Sequence, residues 1–219
     1  MRNAKLFLTG LFILFINITS ILAQKENSVS SDSALHKLIE GNKRYIAGEF
    51  IHPNQTAERR TEVANSQLPF AVILSCSDSR VPPEIIFDQG IGDLFVIRVA
   101  GNVLNDEILG SIEYAVEHLG AQLVVVLGHE RCGAVSAAIK GGEIPGHIKS
   151  LVDSIMPAVE RAKSESGDLL ENAVNENVAM VVEKLKSSEP ILEHLVTHGD
   201  LKIIGARYDL DDGKVAFGK

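Results

Sequence analysis

The chain has 219 residues, 45% of them hydrophobic and 23% charged, with a formal net charge of −8. An acidic balance argues against a nucleic-acid partner, and this hydrophobic content supports one packed domain rather than a disordered chain. Two cysteines are too few for a disulfide-built scaffold, and with no Trp the core must come from Val, Ile, Leu and Ala.

The chain starts with a basic head, Met1 to Lys5, then an apolar run from Leu6 to Ile18 and a small residue at Ala23. That order predicts a signal peptide over 1–23, cut after Ala23, although Ile21 is a poor residue for the minus-three position. The competing reading is a retained membrane anchor, but the run is shorter than the roughly 20 residues a bilayer needs. Processing would leave an exported protein, periplasmic where there are two membranes, with no stable membrane insertion. A polar linker is predicted over 24–33 and a single domain over 34–219.

Within that domain Leu35, Leu38, Ile39, Tyr45 and Ile46 recur at helical spacing, whereas His52 to Gln67 reads as a loop or irregular helix. Strands are predicted at Phe70 to Leu74, Leu94 to Val99 and Leu123 to Leu127, with a helix over Glu107 to Leu119. The third strand is apolar at every position, as a parallel strand covered on both faces should be. Two further helices carry Ile148 to Val159 and Ala173 to Leu185, and Pro190 is expected to open a short one ending near His198. A strand at Leu201 to Ala206 follows, and Asp212-Gly213 predicts a hairpin turn between arms drawn from Tyr208 to Phe217. The predicted fold class is α/β: one domain with a central, mainly parallel sheet flanked by helices, and a short antiparallel edge strand near the C-terminus.

Chemistry gathers where two predicted strands end. Cys76 follows the first, and His129-Glu130-Arg131-Cys132 follows the third. Open parallel sheets bind ligands at their strand C-termini, and two sulfurs with one imidazole suit a borderline-soft ion such as zinc. Three protein ligands leave the fourth position open, which is the condition for catalysis. A Cys76–Cys132 disulfide is the alternative in an exported chain, although it explains neither His129 nor the polar cluster Ser77, Asp78, Ser79 and Arg80. His194 and His198, at i,i+4, lack the acid of a zincin motif and read as capping or surface residues.

Cys76-Ser77-Asp78-Ser79-Arg80-Val81-Pro82, paired with Gly128-His129-Glu130-Arg131-Cys132-Gly133, resembles the β-class carbonic anhydrases. The segments Gly90 to Asn102 and Gly110 to Ala115, and Gly41-Asn42 in the first helix, extend the likeness over roughly Ala34 to Phe217. The resemblance implies reversible hydration of carbon dioxide to bicarbonate and a proton, by hydroxide on one zinc per subunit held by Cys76, His129 and Cys132. It also implies a catalytic pair, Asp78 and Arg80, and a substrate pocket of Gln67, Phe95, Tyr114 and Gly133. Some family members close the site with the aspartate and regulate it through a bicarbonate pocket. That pocket includes a Trp where this chain has Ile73, so an open site with Asp78 paired to Arg80 is expected, with Arg98 matching the pocket's Arg. An obligate homodimer is implied, with the first helix across the other subunit and the pocket at the interface, and such dimers can pair into a homotetramer. The alternatives are a related zinc hydrolase acting on carbonyl sulfide or carbon disulfide, a non-catalytic zinc-binding or redox module, and a catalytically silent homologue.

Overall fold

Side chains of a β-strand point alternately to its two faces, so a strand that is apolar throughout must be covered on both. A computed structural model of the chain, which describes residues 29–218, shows this arrangement. Five strands, β1 (Ala71–Ser75), β2 (Leu94–Arg98), β3 (Leu123–His129), β4 (Lys202–Tyr208) and β5 (Val215–Phe217), form one sheet in the order β2-β1-β3-β4-β5. The first four are parallel and β5 pairs antiparallel to β4, as expected for the fold class. Every residue of β1 and β3 is buried.

On one face Val72, Leu74, Val124, Val126 and Ile203 pack against α4 (Asp106–Glu117) and α7 (Leu169–Lys186), through Ile112, Ala115, Val181 and Leu185. On the other, Ala71, Ile73, Leu123, Val125 and Leu127 pack against Ala34 and Leu38 of α1 (Ser31–Ala47), and against Ile86 and Phe87 at the end of α3 (Pro83–Ile86). A third apolar cluster lies around α5 (Gly133–Lys140) and α6 (Ile148–Ala162), and Cys76 and Cys132 belong to it. The short helices α2 (Ala57–Glu62) and α8 (Leu192–Thr197) complete the α-helices of the described residues.

The expected signal peptide lies outside the described residues. The linker expected over 24–33 is shortened at its end, because Ser30 caps α1 by accepting from the Ser33 N–H and the helix starts at Ser31. The helix is tied to its own chain by one buried side chain. Asn42 donates to the carbonyls of Ile86 and Gly213 at 3.2 and 2.9 Å and accepts from the Val215 N–H at 2.9 Å, tying α1 to α3 and the C-terminal hairpin. That hairpin pairs the end of β4 with β5, Tyr208 opposite Val215. Its turn is wider than an Asp-Gly pair alone, because the Asp209 carboxylate accepts from the Asp211 and Asp212 amides and spreads it over residues 209–214. Pro190 stands in the turn ahead of α8 rather than opening it. Among the described residues no helix is long and apolar enough to cross a membrane.

Candidate metal centre

From β1 the chain moves outward on one side to β2, then returns past β1 to place β3 on the other. Adjacent strands whose connections leave in opposite directions open a crevice at their C-terminal ends. Cys76 follows the last residue of β1, His129 is the last residue of β3, and Cys132 stands immediately before α5. Topology therefore brings the three residues together, and their ligand atoms all lie within 4.8 Å of one another. All three side chains are buried.

The short link between His129 and Cys132 depends on Arg131, whose φ of 50° lies in the left-handed region that a residue with a side chain seldom adopts. Its guanidinium forms two bonds to Asp211 at 2.9 and 2.8 Å, and the neighbouring Glu130 accepts from Arg207 at 2.6 Å and from the Leu210 N–H at 3.1 Å. The hairpin thus clamps the ligand loop. Arg98 does the same for the first cysteine, donating to the carbonyls of Cys76 and Asp78 at 3.2 and 2.6 Å. The resemblance had matched Arg98 to a regulatory pocket. Sequence reasoning missed this brace, because a side chain bonding to backbone carbonyls leaves no pattern in a sequence.

Histidine Nδ1 lies 2.8 Å from the Glu130 carbonyl, which can only accept, so Nδ1 carries the ring proton. The opposite nitrogen, Nε2, therefore presents a lone pair, and it is buried with no hydrogen-bond partner. An orphaned imidazole lone pair beside two free thiols is the donor set a zinc ion satisfies. A disulfide would leave that nitrogen unsatisfied. Cys76 is also primed as a thiolate. The Cys132 thiol beside it holds Cys76 well below the usual thiol range, with the Gly101 amide adding to the effect. The same contact, with burial, pushes Cys132 up, while the Val135 and Ala134 amides of α5 oppose the rise.

Beside the ligands, the Asp78 carboxylate accepts from Arg80 Nε and Nη2 at 2.9 and 2.8 Å and from the Arg80 backbone N–H at 3.0 Å. These bonds, the side-chain ones foremost, hold the Asp78 carboxyl well below the usual carboxylate range against the opposing effect of partial burial. Asp78 Oδ2 lies 3.8 Å from His129 Nε2. Gly133 is the first residue of α5, and a Cβ there would meet open space. Six of the nine residues named from the sequence, Cys76, Asp78, Arg80, His129, Cys132 and Gly133, thus share the crevice. Of the other three, Phe95 on β2 and Tyr114 on α4 have ring centroids 6.4 Å apart, and Gln67 lines a hollow of about 420 Å³ with Val63, Ser66 and Ile91.

A mainly parallel α/β sheet carrying two buried cysteines and a tautomer-fixed histidine at its switch point defines a metal-binding α/β protein of the catalytic type, its charged pair beside the ligands. The chain belongs to the carbonic anhydrase family, whose model matches residues 71–215. It is 42% identical over 186 residues to carbonic anhydrase 2 of Mycobacterium tuberculosis, covering 83% of this chain and 90% of that one. The carbonic anhydrase of Mycolicibacterium smegmatis is 40% identical over 187 residues, covering 84% and 91% of the two chains. The solved structure of the β-carbonic anhydrase CcaA superposes with a TM-score of 0.67 at 29% identity, covering 84% of this chain and 95% of that one. Zinc is the metal of this family, and the Cys76, His129 and Cys132 group is able to hold it.

Proposed function

We propose that this protein is a zinc-dependent carbonic anhydrase, a lyase that hydrates carbon dioxide reversibly to bicarbonate and a proton. The observation that carries the reading is the buried, unpartnered Nε2 of His129 facing two free thiols, with the Arg80-bound Asp78 alongside. Cys76, His129 and Cys132 hold the metal in this reading. Zinc, when bound, supplies Lewis acidity that lowers the pKa of a coordinated water toward roughly 7.

The rest falls to the chain's own groups. Asp78, kept ionised by Arg80, accepts a hydrogen bond from the attacking water and orients it toward carbon dioxide. The Gly133 N–H and the Gln67 amide donate to substrate oxygens, and Phe95 and Tyr114 give the pocket an apolar wall suited to a small uncharged molecule.

A homodimer, with a homotetramer as its possible doubling, is part of the same proposal. Two observations support it: Gln67 lies in a hollow of its own, and Ile46, Phe50, Ile51, Ile85, Ile91 and Tyr114 are exposed. Apolar side chains in such numbers commonly mark a subunit interface, and in this reading the partner completes the pocket to which Gln67 and Tyr114 belong. Sedimentation equilibrium measures this directly. Export by a signal peptide over 1–23 rests on the basic head and apolar run, and amino-terminal sequencing of protein recovered from the cell envelope tests it.

Zinc-loaded protein assayed in parallel on carbon dioxide, carbonyl sulfide and carbon disulfide is expected to turn over carbon dioxide fastest. A clear preference for either sulfur compound would move the assignment to the related hydrolases.

A further inference from the structure

Several buried polar side chains are not used by the site as described, Ser75, Asn102 and Asn177 among them. Asn177 of α7 is 1% exposed, on a helix that also buries Ala173, Val174, Val178 and Val181. Burying an amide among apolar groups costs free energy unless its hydrogen bonds are met, and here they are met by half. Nδ2 donates to the Gly101 carbonyl at 2.8 Å, while Oδ1 has no partner. A residue kept only for packing at this position would be an isosteric Leu.

Gly101 is where that bond leads. Its own N–H donates to Cys76 Sγ at 3.3 Å. Its φ is 72°, and a Cβ there would meet Ile155 Cδ1 at 2.6 Å and Ala134 Cβ at 3.2 Å, so only glycine fits. Asn177 therefore grips one side of the peptide pair that presents a donor to the thiolate on the other. The grip is rigid because α7 is seated in the sheet. Side-chain carbons of Val178 fill a notch made by Gly128 and Gly205, where a Cβ would approach them to 2.5 and 2.6 Å.

We propose that Asn177 is a positioning residue for the metal centre, fixing the Gly101 N–H on Cys76 and so tuning how strongly that sulfur donates to the metal. The proposal rests on Cys76 being a zinc ligand. An N–H bonded to a thiolate draws charge from sulfur, and losing such an outer contact typically costs about 10- to 100-fold in metal affinity.

The test uses the full processed chain loaded with cobalt in place of zinc, whose thiolate charge-transfer band reports donation by sulfur. Asn177→Leu and Asn177→Asp are expected to bind zinc about 10-fold or more weakly and to shift the band to lower energy. Val181→Ala, a buried change on the same helix, is expected to lower stability while leaving the band in place. An unshifted band and unchanged zinc affinity in folded Asn177 variants would overturn the proposal and leave Asn177 a structural tie. If the variants do not fold, unaltered protein loaded with ¹¹³Cd decides. A coupling from the metal to the Gly101 amide proton and a slowly exchanging Asn177 side-chain amide are expected, and absence of either overturns the proposal. Unaltered protein that shows no thiolate band at all would instead count against the metal reading itself.

Discussion

Arg80 holds Asp78 by two bonds to its two carboxylate oxygens, 2.9 and 2.8 Å long, although the arginine side chain itself is 53% exposed. An exposed ion pair adds little to stability, so this one is better read as orientation of the carboxylate beside the metal ligands. Arg80→Ala is expected to lower kcat/KM about 10- to 100-fold with zinc retained and with little change in melting temperature. Arg80→Lys is expected to recover only part of the loss, because an ammonium cannot make the two-pronged contact. Stopped-flow rates and metal analysis on the same samples check both.

The two thiols lie close enough to compete for one another. Their sulfurs belong to a group packed within 4.8 Å, and both are unbridged. Chelator-treated protein exposed to mild oxidant is expected to lose two titratable thiols and form a Cys76–Cys132 disulfide, while zinc-loaded protein keeps both. Thiol titration with intact-mass measurement reads the outcome. Bridging at equal rates with and without zinc would mean that the cysteines do not hold the metal.

Seating of α7 on the sheet is testable by overpacking. Gly205→Ala puts a methyl group 2.6 Å from Val178 Cγ1, and it is expected to cost about 1–3 kcal/mol in urea denaturation. Adding Val178→Ala should recover part of that loss. The double variant would then be more stable than the sum of the single effects allows, which is the signature of direct coupling.

Asp88 gives a pH dependence away from the metal. Its buried carboxylate would be raised by desolvation alone, but Arg44 bonds it at 2.6 Å and the amides of Ile51 and His52 at 3.2 and 3.1 Å, and the net effect is a lowered pKa. A depressed carboxyl contributes stability above its unfolded pKa, about 3.9, and loses it as pH falls through the lower folded value. Asp88→Asn is therefore expected to be less stable than the parent near neutrality, with the gap closing below about pH 4. Urea midpoints measured across pH 3–7 check the sign.

How much of this was legible in the sequence follows from where the determinants lie. β3 could be read because burial on both faces makes it apolar at each position from Leu123 to Leu127. Cys76, His129 and Cys132 could be read because strand ends are marked by the apolar runs before them. The braces could not. Arg98 on backbone carbonyls, Arg207 on Glu130 and Asn177 on Gly101 join residues far apart in the chain, and their partners are mostly backbone atoms that every residue possesses. The start of α1 was misjudged because Ser31, Asp32 and Ser33 have a linker's composition but sit under the Ser30 cap. Gln67 and Tyr114 are named only through the family's motif, because a lone Gln in a polar stretch and a Tyr on a helix have nothing in their local pattern that marks a pocket.

Stopped-flow hydration of carbon dioxide by purified, zinc-loaded protein tests the central claim most directly. Hydration well above the buffer rate is expected, lost together with the metal in Cys132→Ser. Protein that carries one zinc per subunit yet hydrates carbon dioxide only at the buffer rate would contradict it.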